Sequence, residues 1–107
     1  MEQVFNKLVR DNIPDIIIKN GGQPFTRILS EEEFRTELIN KLYEEYNEVV
    51  NSSGEDRIEE LADMLEVIKY LAEVEGSNLD EVIDISHKKA LKRGAFDKKV
   101  FLEKTID

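Results

Sequence analysis

Cysteine is absent from this chain of 107 residues. Disulfides and thiolate metal ligands are therefore excluded. Positive charge is scarce: 15 lysines and arginines stand against 24 aspartates and glutamates, for a net charge of -9. That balance argues against a nucleic-acid polymer or an anionic membrane as partner, since either would need a basic face. It leaves room for a cation site, or for local basic patches on an acidic background. No stretch approaches the ~18 apolar residues of a membrane span. Met1-Glu2-Gln3 is not the opening of a signal peptide, so a cytoplasmic protein is expected. Internal repeats, low-complexity tracts and interdomain linkers are also missing, which leaves one domain over residues 1–107. At this length folding buries somewhat under ~70% of the unfolded surface, a thin margin for an isolated monomer. Composition thus makes an oligomer reasonable without requiring one, and 40% hydrophobic residues are enough for a core.

What is present reads as mainly helical. Val4–Val9 suits an extended segment. Pro14 sits at the first turn of a short helix through Ile16, Ile17 and Ile18, stopped by Asn20-Gly21-Gly22. Residues 24–29 suit a short strand or an arm. Ser30 with Glu33 is a capping box opening a helix over about 31–50. Asn51-Ser52-Ser53-Gly54 breaks it, and a second long helix spans about 55–75. Asn78 with Glu81 opens a third over about 78–93, closed by Gly94. The tail around Lys99–Glu103 suits a strand or an arm on a neighbour. The expected architecture is an all-α antiparallel helical bundle with short extended N- and C-terminal segments.

Counting acids says little when there are 24 of them, but their angular position, at ~100° per residue, is informative. On the first long helix Phe34, Leu38, Leu42 and Val49 mark the buried stripe. Glu45 falls inside it and Glu48 lies at its edge, while Glu37 and Glu44 point farther away. On the second, Ile58, Leu61, Ala62, Leu65, Ile68, Leu71 and Ala72 form a broad apolar face, expected to be buried. Val67, Tyr70 and Val74 extend it onto a further side. Glu59, Glu66, Glu73 and Lys69 fill the solvent wedge that remains. Glu60 and Asp63 lie outside that wedge, beside Val67 and Tyr70.

Carboxylates set against protein need a partner, because desolvating a charge costs several kcal/mol even after relaxation. Residues three apart on a helix have Cβ atoms roughly 5–6 Å apart. If the short loop folds the helices antiparallel, Glu45 and Glu48 can face Glu60 and Asp63. Four such groups repel one another and raise their own pKa values; a divalent cation removes the conflict. All-oxygen ligation favours Mg²⁺ or Mn²⁺ over zinc. The bland reading is that acids three apart are common and mostly solvated or paired with Lys or Arg.

The segment Glu44-Glu45-Tyr46-Asn47-Glu48, followed after a short gap by Glu59-Glu60-Leu61-Ala62-Asp63, resembles the signature of the all-α nucleoside triphosphate pyrophosphohydrolases. That superfamily includes MazG-like enzymes, dimeric dUTPases and phosphoribosyl-ATP pyrophosphohydrolases. Lys7-Leu8-Val9-Arg10-Asp11-Asn12-Ile13-Pro14 is similar to the opening of small MazG-like proteins, and Lys88–Phe96 to their basic C-terminal motif. The resemblance implies Mg²⁺-dependent hydrolysis of the α–β phosphoanhydride of a nucleotide, with Glu45, Glu48, Glu60 and Asp63 as metal-holding catalytic residues. It also implies a homodimer or homotetramer.

An anionic substrate requires cations as well. Lys89, Lys92 and Arg93 are the first candidates for phosphate binding, followed by Lys7 and Arg10. Their bland reading is that cations at a helix C-terminus stabilise it by ~0.3–1 kcal/mol each. His87 is read as a surface or structural residue, and Tyr43, Tyr46 and Tyr70 as core. No nucleobase-reading motif stands out, so base and sugar stay open. Three functions compete: a house-cleaning nucleoside triphosphate pyrophosphohydrolase, a phosphoribosyl-ATP pyrophosphohydrolase, and a catalytically weak nucleotide-binding module.

Overall fold

Four helices and no strand make up the chain in a computed structural model that describes residues 1–107. They are α1 (Ile13–Lys19), α2 (Glu31–Val50), α3 (Gly54–Val74) and α4 (Leu79–Arg93). Both flanking segments that suited strands lack regular structure, so they are arms. No helix is long and apolar enough to cross a membrane.

The helix ends follow the local chemistry. Pro14 starts α1, and Gly22 lies so close to Ile17 that an added Cβ would meet its side chain at 2.7 Å. The Ser30–Glu33 box is complete: the Glu33 amide donates to Ser30 Oγ and the Ser30 amide donates to Glu33 Oε1, each at 3.2 Å. Arg27 adds a two-pronged grip on the same carboxylate at 3.1 and 2.7 Å, which holds Glu33 down at about 2. At α4 only half of the expected box forms. Asn78 accepts from the Glu81 amide at 2.8 Å, with no reciprocal bond from the Glu81 carboxylate. Gly94 ends α4 at a φ of 85°, a conformation that favours glycine.

Helices α2 and α3 form an antiparallel hairpin. Neither has a basic residue in its last turn, and each borrows one from the other. Arg57 on α3 donates to the carbonyls of Val49 and Val50 at 3.0 and 3.5 Å. Arg35 on α2 donates to the Val74 carbonyl and to Glu75. The Val74 and Val50 carbonyls thus find a donor across the hairpin, and the Val49 carbonyl, which also accepts from Ser52, gains a further one. Between these clamps Leu38 and Val67 are buried, and Phe34 meets the Tyr70 ring edge-on at 6.4 Å.

One expectation holds only in part. Of the broad face of α3, Ala72 is buried and Ile68 and Leu71 are half-buried, while Ile58, Leu61, Ala62 and Leu65 remain exposed; Val67, on the further side, is buried. The apolar surface of α3 is wider than one partner helix can cover. The chain is all-helical, as expected, and within it α4 packs only on α3. The molecule measures 61 × 33 × 26 Å. Tyr43 and Tyr46, read as core, are also exposed, and Tyr70 is only about two-thirds covered.

Candidate metal centre

Pairing α2 with α3 in antiparallel register brings Glu45 opposite Glu60 and Asp63. One carboxylate oxygen from each of the three lies within 4.8 Å of the others. Glu45 is the one buried charged residue of the protein, at 7% exposure. No hydrogen bond reaches its carboxylate, and its nearest cation, Lys41 Nζ, stands 3.6 Å away. Glu60 and Asp63 are half-buried at the rim.

The electrostatics carry the mark of this crowding. Burial, reinforced by the negative charges of Asp63, Glu44 and Glu60, pushes the Glu45 carboxyl up against the pull of Lys41. The Glu60 carboxyl is also pushed up, by partial burial and then by Glu48 and Asp63. Glu48 itself is exposed and stands outside the three-residue cluster, at the edge where the angular reading put it, yet close enough for its charge to act on Glu60.

Of the five cations singled out in the sequence, two come to this side of the hairpin. Arg10 donates to Asp63 Oδ1 at 2.8 Å and lies 3.6 Å from Glu66. Lys7 pairs with Glu44 at 3.1 Å. Lys89, Lys92 and Arg93 are exposed on α4, in ion pairs with nothing in the chain, and are not brought to the acids. His87 is exposed as well.

Glu44 and Lys41 are participants that the sequence reading left out. Burial pushes the Glu44 carboxyl up, but hydrogen bonds from Lys7 and Lys41 outweigh it and hold the group below the usual range. Lys41 stands one helical turn before Glu45, and that spacing was the available signal. Together with Asn40 and Glu37, these residues line a cleft of about 280 Å³.

The donor set suits a hard divalent cation. Mg–O distances of ~2.1 Å place opposite ligands ~4.2 Å apart, so oxygens this close need only small side-chain rotations to converge on one ion. The Glu45 carboxylate, whose one cation partner is Lys41 at 3.6 Å, has room in its coordination for such an ion. No family model, curated protein or solved structure matches the chain.

Proposed function

We propose that this protein is a divalent-cation-dependent nucleotide pyrophosphohydrolase. It would split the α–β phosphoanhydride of nucleoside triphosphates in a cytoplasmic house-cleaning role. The observation that carries this reading is Glu45, buried without a hydrogen bond and converging with Glu60 and Asp63 from the opposite helix. Mg²⁺ or Mn²⁺ held there supplies charge neutralisation for the phosphates and a more acidic water.

The chain's own groups divide the remaining work. Glu45, Glu60 and Asp63 hold the ion, and Glu48 stands beside Glu60 at the open edge. One of these coupled carboxylates takes the proton of the attacking water as its oxygen bonds to the α-phosphorus. The bridging oxygen leaves with the pyrophosphate, giving a nucleoside monophosphate. Arg10 and Lys7, already on the acidic side, are the nearest cations to receive phosphate oxygens. Lys89, Lys92 and Arg93 keep that role on the strength of the resemblance.

The test is pyrophosphate release from a panel of nucleoside triphosphates and phosphoribosyl-ATP, with Mg²⁺ and with EDTA. Mg²⁺-dependent release that Glu45→Ala abolishes supports the reading. Release from phosphoribosyl-ATP alone moves the substrate to histidine synthesis. One observation favours a different class: Arg10 and Lys41 already partly neutralise Asp63 and Glu45. Nucleotide binding without turnover, with Mn²⁺ also tried, would make the protein a binding module.

A further inference from the structure

The cleft of about 280 Å³ beside the acidic cluster has a lining that the proposed reaction leaves largely unused. Leu8 is the one apolar residue among the seven that line it, and none of the seven is aromatic. Lys7 and Lys41 each give their ammonium to one oxygen of Glu44, at 3.1 and 3.2 Å. Glu37 offsets the second positive charge, so the walls are neutral as a whole. A nucleobase presents flat faces that stack on aromatic rings, and a phosphate calls for net positive surroundings. Neutral walls dense in donors and acceptors fit neither. They fit hydroxyl groups, each of which donates and accepts at once.

The acceptors are grouped. Asn40 Nδ2 donates to both oxygens of Glu37, at 3.1 and 3.4 Å, one turn away on α2. Glu37 is half-buried, and no lysine or arginine pairs with it. Its remaining lone pairs and Asn40 Oδ1 make a short edge that accepts from two neighbouring O–H groups, while Asn40 Nδ2 donates back. Position joins this edge to the cluster. Lys41 Nζ, in the cleft wall, also stands 3.6 Å from Glu45. Along the helix Asn40 and Glu37 precede Glu45 by about 7.5 and 12 Å. A sugar esterified to an α-phosphate held at Glu45 falls in that interval once side-chain lengths are counted.

We infer that this cleft holds the ribose of the nucleotide, with Glu37 and Asn40 reading its 2′- and 3′-hydroxyls and the base left outside. The inference rests on the proposed function, which puts the α-phosphate at Glu45. Glu37 accepts from one hydroxyl of the pair, and Asn40 accepts from the other while donating to it. A 2′-deoxy sugar leaves half of this edge without its partner, and a site built to hydrogen-bond a hydroxyl discriminates against the analogue that lacks it. The protein therefore selects ribonucleotides over 2′-deoxyribonucleotides. With no ring in the walls to stack a base, it draws no distinction among the four bases.

Titration calorimetry of the full chain with Mg²⁺ and α,β-methylene triphosphates, whose carbon bridge resists cleavage, tests it. The ribose form of each analogue should bind at least about tenfold more tightly than its 2′-deoxy form, the ratio that one or two lost hydrogen bonds produce. The ratio should be alike for adenine, guanine, cytosine and uracil. Glu37→Ala and Asn40→Ala should each collapse it toward one. A variant that merely loses its fold weakens both sugars together, and the wild-type ratio needs no variant at all. Equal affinity for the two sugars, a preference for the deoxy form, or no binding of either overturns the inference. So does a ratio that survives in both folded variants. The proposed function fails separately: ribose-selective binding without pyrophosphate release from natural triphosphates removes the hydrolase and keeps the sugar site. Release from ATP and dATP at equal kcat/KM does the reverse.

Discussion

Glu45 is held in conflict with its surroundings, and that gives it a measurable signature. Its carboxyl is raised by burial and neighbouring acids. A carboxyl whose folded pKa lies above its unfolded value favours the fold only while protonated. That stabilisation is present below the unfolded pKa and lost as pH rises through the folded one. Ionised Glu45 therefore costs stability at neutral pH. Glu45→Gln is expected to raise the melting temperature in EDTA by a few degrees and, if the cluster binds Mg²⁺ as proposed, to remove the upward shift that the ion would give the wild type. Scanning fluorimetry at matched protein concentration reads both effects, and a melting temperature lowered in EDTA would contradict the account. Position also separates acids of the same kind. Under the proposed function, Asp63→Ala should abolish pyrophosphate release, whereas Glu59→Ala, on the solvent side, should leave it within about twofold. At this scale much was legible before any coordinates. Glu45 in an apolar stripe, and Glu60 and Asp63 off the solvent wedge, are readings from spacing alone. The pairings of Lys41 with Glu45 and of Arg10 with Asp63 depend on rotamers and on the path of an irregular segment, and periodicity says nothing about either.

Helix boundaries were also readable, because caps are local chemistry. Ser30, Pro14 and Gly94 act within a few residues of themselves. Ser30→Ala should destabilise by about 1 kcal/mol, roughly 4–8 °C in melting temperature. Glu33 extends the prediction to acid. Held at about 2 in the fold by Arg27, it stays ionised after the unfolded chain has bound its proton. Its stabilisation is therefore complete above the ordinary value of 4.5 and is lost between there and about 2. Glu33→Gln should flatten the acid limb of a stability–pH curve across that window, measured by urea denaturation. The side on which α3 packs was not legible. Val67 and Leu65 both lie in apolar sectors, and angle alone cannot rank two such sectors when the number of partner helices is unknown. Both sectors are covered in part: Val67 of the narrower one and Ala72 of the broader one are buried, while Leu61 and Leu65 stay exposed. Arg57 acts at this scale too: Arg57→Ala should cost about 1 kcal/mol in urea denaturation, because it removes the donor of the Val50 carbonyl while the Val49 carbonyl keeps its bonds from Ser52.

Taken whole, the molecule has more apolar surface than one chain can hide, and this makes its thermal behaviour depend on concentration. If the chain associates with itself, as the resemblance implies, and only in its folded form, mass action raises the melting temperature with protein concentration. A tenfold dilution should lower it detectably, and a melting temperature independent of concentration would speak for a self-sufficient monomer. Thin burial was foreseeable from length and charge. Elongation was not, because it depends on the direction α4 and the irregular arms take from the hairpin, and no local rule sets that path.

The two borrowed arginines bear on when the acidic cluster comes into being. A helical hairpin can slip along its own axis, and a slip of one turn moves the partner by ~5.4 Å. Arg35 and Arg57 sit at opposite ends and grip in opposite directions, so either sense of slip breaks both grips at once. Glu45 is thereby kept level with Glu60 and Asp63 by the chain itself, before any partner arrives. The three carboxylates are aligned as soon as the hairpin closes, a local event between neighbouring elements.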